Sequence, residues 1–122
     1  MYFTLKKIGN EFVFTDICPE LLALICQNRE DLIGKTVDTA KYIGDQDLRN
    51  KLKEFYALAL NQKRVLFYYF PIKNPEVFII TYLEPKPVYK KEIEIKGRCM
   101  PIFIKELEGN ASLHHVNQFL VF

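Results

Sequence analysis

The feature that most constrains this fold is residues 28–35, where two turn signals flank a very short helical pattern. Asn28 is a favourable N-cap residue. The carboxylates of Glu30 and Asp31 suit the first turn, where free backbone N–H groups and the helix dipole attract negative charge. Gly34 stands where the pattern must stop, a position that often requires positive φ. The chain is therefore predicted to turn back here, with the apolar pair after Asp31 facing inward.

Strand patterns precede this segment. Residues 2–8 and 11–17 are rich in aromatic and β-branched side chains and are separated by a Gly-Asn pair, which predicts a β-hairpin. A first short helix is predicted to start at Asp16 or at Cys18-Pro19, because proline suits the first turn of a helix. Its side chains are almost all apolar, which is typical of a helix buried against a sheet.

The second half switches from helices to strands. Residues 36–42 are predicted as another short helical piece, and residues 46–61 as an amphipathic helix capped by Asp45. The strand patterns that follow cover residues 64–72, 77–83 and 93–104. Gly97 and Pro101 mark a bulge or an edge position in the last strand. The layout predicts the α+β class, with a five-stranded antiparallel sheet and short helices and one longer helix packed on one face.

Residues 28–35 and their flanks resemble the PAS domain family. Its members run strand, turn, strand, short helices, one longer helix and three strands, with a glycine followed by a glutamate-glutamate-leucine-isoleucine-glycine-lysine type of run. Here Glu30-Asp31-Leu32-Ile33-Gly34-Lys35 stands for that run, and Cys26 occupies the position of the glycine. The aspartate-isoleucine-threonine signature of many members is replaced by residues 100–105. The resemblance spans residues 3–104 and implies a PAS-like sensory domain.

Composition is typical of one globular domain. The chain has 122 residues, 49% hydrophobic and 26% charged, with a net charge of +2 and no basic block, so direct nucleic-acid contact is not expected. No apolar run approaches the roughly 20 residues of a membrane span, and a cytoplasmic location is expected. We expect residues 1–104 to form the sensor domain and residues 105–122 a flanking linker or dimerisation helix, or an ordinary tail that covers the sheet.

Catalytic and metal-binding signals are weak. His114 and His115 are adjacent, so their side chains diverge on a helix, and no nucleophile–base–orienter set is found beside Ser112. The three cysteines lack a C-x-x-C spacing, which indicates neither a disulfide framework nor a zinc site. We therefore expect no catalytic residues and no metal site.

The cofactor stays unknown at this level. The resemblance implies a flavin only with a reactive cysteine motif that the surroundings of Cys26 lack, and one type of haem only with a histidine on the long helix. That helix, predicted at residues 46–61, has no histidine. His114 and Cys99 are left as the alternative iron ligands.

An apolar pocket between the helices and the inner sheet face is the predicted ligand site. Bulky side chains predominate among its candidates, and four hydroxyl groups could orient a mostly apolar ligand. The candidate residues are Phe14, Leu24, Leu32, Tyr42, Phe55, Tyr56, Phe67, Tyr69, Ile80 and Thr81. A solid core filled by these side chains is the alternative.

The strand at residues 64–72 is apolar on both faces, because Leu66, Tyr68 and Phe70 alternate with equally apolar neighbours. A second apolar face requires a cover, and the resemblance implies a homodimer through this outer face and the flanking segments. We expect a non-catalytic sensory or dimerisation domain that regulates a kinase or transcription factor. The alternatives are a small cone-shaped α+β enzyme and a structural heterodimerisation module.

Overall fold

The computed structural model describes residues 1–86, 94–107 and 119–121, and it confirms the α+β class. One antiparallel sheet has the strand order β2-β1-β5-β4-β3-β6, and helices pack on one of its faces. The strands are β1 (Tyr2–Ile8), β2 (Glu11–Ile17), β3 (Val65–Tyr69), β4 (Val77–Lys86), β5 (Glu94–Phe103) and β6 (Phe119–Val121). The five predicted strands are all present, and β6 is an additional short one.

Two α-helices lie between the hairpin and the remaining strands. Helix α1 (Pro19–Leu24) begins with Pro19 after the N-cap residue Cys18, as the sequence predicts. Helix α2 (Gln46–Leu60) begins after Asp45, whose carboxylate accepts a hydrogen bond from the backbone N–H of Leu48 at 2.9 Å. Both helices bury apolar side chains against the inner face of the sheet, which we define as the face that carries the core.

The segment at residues 28–35 folds as its turn signals predict. A single 3-10 turn, Arg29–Asp31, replaces a full helix, and Asp31 Oδ2 accepts the backbone N–H of Asn28 at 3.2 Å. Gly34 has φ +80, and Cys26 has φ +58, the same left-handed region. Cys26 stands where the resembled family often has glycine, so this backbone conformation gives the physical reason for that preference.

The helical piece predicted at residues 36–42 is wrong, because this segment is a series of turns. The hydroxyls of Thr36 and Thr39 accept hydrogen bonds from each other's backbone N–H groups, at 2.9 and 3.1 Å. The backbone N–H of Val37 donates a hydrogen bond to the carbonyl of Phe12 on β2 at 3.2 Å. These hydrogen bonds occupy backbone N–H groups that a helix would need for its own hydrogen bonds.

The predicted bulge in the last strand is absent, since β5 pairs with β4 without a register shift. Gly97 is required for another reason: a Cβ atom there would lie 2.3 Å from Cε1 of Phe3 on β1. The edge position predicted for Pro101 agrees with the structure, because β1 pairs with β5 only as far as Arg98. Pro101 lies beyond that pairing, where a missing N–H breaks no ladder bond.

The flanking segment contributes to the sheet. Strand β6 pairs antiparallel with β3, with Phe119 opposite Phe67 and Val121 opposite Val65. A dimerisation helix, one of the forms expected for residues 105–122, is therefore wrong at residues 119–121, which form a strand. Residues 108–118, with Ser112, His114 and His115, lie outside the described residues. The proposed domain boundary after Ile104 stays a prediction.

Candidate functional site

A partly open cavity of about 70 Å³ lies between the inner face of the sheet and the helices. Its lining residues come from all three parts of the fold: the hairpin, the helices and turns, and the strands of the second half. They are Phe3, Phe14, Ile17, Leu21, Ile25, Gln27, Leu32, Ile43, Leu52, Tyr56, Phe67, Tyr69, Ile79, Thr81 and Cys99.

The periods of the strand and the helix explain why several of these side chains face the cavity. In β3, Phe67 and Tyr69 share a face because alternate residues of a strand point the same way, and Ile79 and Thr81 do so in β4. In α2, Leu52 and Tyr56 are one turn apart and therefore lie on the same side of the helix. Six of the ten predicted pocket residues line the cavity: Phe14, Leu32, Tyr56, Phe67, Tyr69 and Thr81. That they bind a ligand stays a prediction.

Two of the other candidates lie within or against the core. Phe55 is only 1% exposed, but its ring stacks on Phe67 at a centroid distance of 4.8 Å and does not line the cavity. Leu24 is half-buried at the end of α1 and packs against the core. Its carbonyl accepts a hydrogen bond from Asn74 Nδ2 at 2.8 Å. Phe55 therefore supports the cavity from behind its lining.

The last two candidates point elsewhere. Ile80 is adjacent to Thr81 in β4, so its side chain lies on the outer face, opposite Tyr68 of β3. Because adjacent side chains of a strand point to opposite faces, Ile80 and Thr81 cannot both line one pocket. Tyr42 has φ +59 and a 43% exposed side chain, with Lys73 Nζ 3.8 Å from its ring centroid. The irregular turns at residues 36–45 carry it away from the cavity.

Sequence reasoning missed nine lining residues, and some of them had a signal. Ile79 is two residues before Thr81 in a strand, and Leu52 is four residues before Tyr56 in a helix, so periodicity could have found both. Gln27 and Ile43 lie in irregular segments without a period, and no pattern indicates them. The missed residues are Phe3, Ile17, Leu21, Ile25, Gln27, Ile43, Leu52, Ile79 and Cys99.

Burial governs the ionisable groups of the cavity. Desolvation raises the pKa of the Tyr56 hydroxyl well above its ordinary value, and it does the same for Tyr69. Desolvation also raises the pKa of the Cys99 thiol to about 11, although a hydrogen bond with Thr81 opposes that shift. All three groups are therefore neutral at physiological pH, and the cavity is uncharged.

The polar groups of the lining differ in their hydrogen bonding. The Tyr69 hydroxyl donates to the carbonyl of Ile43 at 2.8 Å, and Thr81 Oγ1 lies 3.8 Å from Cys99 Sγ. Gln27 is 9% exposed, and its buried Oε1 atom has no hydrogen-bond partner within the part of the chain that the structure describes. Buried polar atoms without partners are rare in folded proteins. The Oε1 atom of Gln27 is an exception to this rule among the described residues.

One side of the cavity is closed by turns that Arg49 holds in place. From α2, its guanidinium donates to the carbonyls of Val37 at 2.6 Å, Ala40 at 3.0 Å and Gly44 at 3.0 Å. Ile43, inside this set of turns, contributes its side chain to the cavity. The rigid fork of an arginine suits several fixed acceptors at once. Arg49 thus supports the cavity without lining it.

The ionisable groups of the lining are limited to two tyrosines and one cysteine, Tyr56, Tyr69 and Cys99. The lining contains no aspartate, glutamate, histidine, lysine or arginine. Across the described residues, no group of three or more histidine, cysteine or carboxylate side chains is placed to hold a metal ion. Within residues 1–86, 94–107 and 119–121, no helix has the length and apolar character of a membrane span.

Comparison with known proteins agrees with the fold. No protein-family model matches the sequence, and no curated protein matches it. Among solved structures, the chain is similar to the PAS domain from Bordetella pertussis BvgS, with a TM-score of 0.64 and 17% sequence identity. The match covers 88% of this chain and 83% of that one. The chain therefore has the PAS fold, which confirms what the resemblance implies about its architecture.

Proposed function

We propose that this chain is a non-catalytic sensory domain of a signalling protein, which binds a small, mostly apolar ligand or mediates dimerisation. The supporting observation is the uncharged, mostly apolar cavity between the helices and the sheet of a PAS fold. Its lining has no aspartate, glutamate or histidine to serve as the acid or base that a small cone-shaped enzyme, the alternative, needs. A kinase or transcription factor in the cytoplasm is the proposed output.

The outer sheet face is the proposed homodimer surface. Tyr68 of β3 and Phe70, directly after β3, pack against Phe78 of β4, with centroid distances of 5.5 and 5.6 Å, and form an aromatic cluster. Ile80 and Met100 continue it across to β5, and Met100 is 54% exposed. An apolar sheet face of this kind is stabilised by a second apolar surface. A second copy of the chain supplies one.

The flanking segment at residues 105–122 is the proposed route to the output module. The pairing of β6 with β3 supports this role, because β3 contributes to both the cavity and the outer face. A ligand moves such an equilibrium only by its different affinity for two states. We therefore propose that filling the cavity changes the pairing of β6.

Native mass spectrometry of the purified chain, with its absorbance spectrum, tests the proposal. We expect the mass of a dimer, and an additional mass or a visible absorption band if a ligand is retained. A monomer would contradict the dimer. Met100→Glu is expected to reduce the dimer fraction, while Ile8→Glu, at a position with a similar exposure of 59%, is the matched control.

The small cavity volume favours a second candidate function, a structural heterodimerisation module. A volume of about 70 Å³ is far below the roughly 300–1,000 Å³ of pockets that hold drug-sized ligands. Ligand-dependent thermal stabilisation separates the two functions, since only a protein that binds a ligand in its native state gains stability from it. A retained dimer that no small molecule stabilises would favour the module.

A further inference from the structure

The Tyr56 hydroxyl is a hydrogen-bond donor in the cavity that the protein itself does not use. It makes no hydrogen bond with the residues that the structure describes. Burial raises the pKa of Tyr56, and the neighbouring Tyr69 and Cys99 raise it further. The hydroxyl therefore keeps its proton at physiological pH and can donate a hydrogen bond.

The oxygen of this hydroxyl has surface inside the cavity. Among the described residues, Gln27 Oε1 is the one fully enclosed side-chain nitrogen or oxygen without a hydrogen-bond partner. Since the Tyr56 oxygen also lacks a partner, it is not fully enclosed. Tyr56 is only 3% exposed and lines the cavity, so the remaining surface of its hydroxyl faces the cavity and not the bulk solvent.

The ring of Tyr56 is held in place by the β-hairpin. It makes an edge contact with Phe3 of β1 at a centroid distance of 6.4 Å, and it packs against Phe12 of β2 at 5.6 Å. Its backbone is fixed in α2. A donor that is fixed in this way costs little further ordering when a ligand binds. The hydroxyl is therefore positioned before a ligand arrives.

Hydrogen-bond donors also remain among the other polar groups of the lining. Tyr69 already donates its hydrogen to the carbonyl of Ile43. Thr81 Oγ1 and Cys99 Sγ lie 3.8 Å apart, so one of their two hydrogens serves that contact and the other stays available. The Oε1 atom of Gln27 is enclosed, which leaves the amide nitrogen, a donor, as the polar group of that side chain for a ligand. An acceptor on the ligand pairs with donors of this kind.

We infer that the cavity selects a neutral, mostly apolar molecule whose carbonyl or ether oxygen accepts a hydrogen bond from Tyr56. This inference rests on the proposed ligand-binding function and adds the chemical class of the ligand. An anion is disfavoured, because the lining contains no lysine, arginine or histidine to replace the water that the anion loses. The cavity is partly open, so the apolar body of the ligand can extend beyond it.

Two probes of the same shape test the inference. Cyclohexanone and methylenecyclohexane have the same number of heavy atoms, and only the ketone has an acceptor oxygen in place of the exocyclic CH₂ group. Titrating each probe into the isotope-labelled chain and following the lining residues by NMR gives its affinity. Each affinity is compared between the wild type and a variant, and not between the probes, because the two probes differ in their hydration in water.

Tyr56→Phe is the diagnostic variant, because it removes the donor and keeps the ring. We expect its affinity for cyclohexanone to fall roughly tenfold, the ratio that corresponds to one buried hydrogen bond, while its affinity for methylenecyclohexane does not fall. Tyr82→Phe is the matched control, because Tyr82 follows Thr81 in β4 and its side chain therefore lies on the outer face. We expect this control to bind both probes like the wild type.

A second measurement does not depend on the folding of a variant. The infrared C=O stretching band of cyclohexanone bound to the wild-type chain should lie at lower frequency than in an alkane solvent, because a hydrogen bond weakens the C=O bond. An unshifted band would contradict the inference.

Three titration results would overturn the inference: equal losses of affinity for both probes in Tyr56→Phe, no loss for either, or binding of neither probe to the wild type. The proposed function is tested separately, by the dimer mass and the retained ligand of the purified chain. A retained molecule without an acceptor oxygen would overturn the ligand class and still support a sensory function. A failure of the ligand class is thus distinguishable from a failure of the proposed function.

Discussion

Two of the walls of the cavity are held in different ways. The sheet wall consists of the lining residues of β1, β3, β4 and β5, whose backbones are joined by continuous ladders of hydrogen bonds. The turn wall, residues 36–45, relies on side chains: Arg49 donates to three of its carbonyls and Tyr69 to a fourth. Segments without ladders open at lower free energies than sheets. The turn wall is therefore expected to open before the sheet wall does.

The largest effect is expected when the turn wall loses its main support. Arg49→Met keeps much of the side chain but leaves the carbonyls of Val37, Ala40 and Gly44 without their donor. We expect the free energy of unfolding to fall by about 3 kcal/mol, since hydrogen bonds from charged groups are the strong ones. Chemical denaturation gives this value.

Hydrogen exchange then tests whether the two walls open separately. In Arg49→Met, the amides of Val37 and Ala40 should exchange much faster while the paired amides of β4 stay protected. Arg49→Lys is the control, because it retains the charge and loses the fork geometry, and an intermediate loss is expected. Equal loss of protection in both walls would contradict the distinction.

The sheet wall should respond to crowding instead. Gly97→Ala places a Cβ atom 2.3 Å from the ring of Phe3 on the neighbouring strand. We expect a loss of about 2 kcal/mol in unfolding free energy, because overpacking forces side chains out of their preferred rotamers. The double variant with Phe3→Leu should recover part of this loss. If it recovers none, the cause is the backbone and not the ring.

Stability at alkaline pH reports on the burial of Tyr56, which α2 places in the cavity. Its pKa is raised above the ordinary 10.0, so above pH 10 the unfolded chain releases this proton while the folded chain keeps it. Stability therefore falls as pH rises, by about 1.4 kcal/mol for each pH unit above 10. Tyr56→Phe removes this contribution, so its unfolding free energy should fall less steeply with pH. Equal slopes would contradict the burial of the hydroxyl.

Tyr69 links the two walls, and its removal should have a smaller effect. Tyr69→Phe deletes the hydroxyl that donates to Ile43 and keeps the ring in the sheet wall. We expect about 1 kcal/mol of destabilisation, the usual net value of one hydrogen bond. Faster exchange confined to residues 36–45 would confirm that the bond anchors the turns. Faster exchange in β3 alone would contradict it.

The smallest effect is expected at Cys26, which lies outside both walls. Its φ of +58 is strained for a residue with a Cβ atom, and its side chain is exposed. Cys26→Gly should therefore raise the unfolding free energy, by about 0.5–1 kcal/mol, in a thermal or chemical denaturation experiment. Gly34→Ala, at φ +80 with open space around it, should have the opposite sign.

The two walls also differ in how far the sequence could predict them. The alternation of β3 and the helical period of α2 placed Phe67, Tyr69 and Tyr56 on the inner side, because periodicity is a local property of the chain. The turn wall has no period. Its conformation depends on Arg49, which lies several residues further along the chain, so a pattern within residues 36–42 could only suggest a helix.

The unpaired side-chain oxygen of Gln27 could not be predicted from the sequence either. Gln27 lies in an irregular stretch after α1, and only the packed structure shows that its Oε1 atom is buried without a partner. Turn chemistry, in contrast, was readable, since Asn28 and Gly34 act within a few residues of themselves. Short-range signals were therefore reliable, and contacts between distant segments were not.

The segment after Gly34 has a further consequence for the behaviour of the protein at high concentration. Its backbone bonds to the free side of β2, from Gly34 N–H to the carbonyl of Phe14 at 2.9 Å and from the Phe14 N–H to the carbonyl of Lys35 at 3.0 Å. An open strand with this aromatic content is a template for aggregation. Since the chain itself pairs with β2 at Phe12 and Phe14, strand addition is disfavoured at this part of the edge.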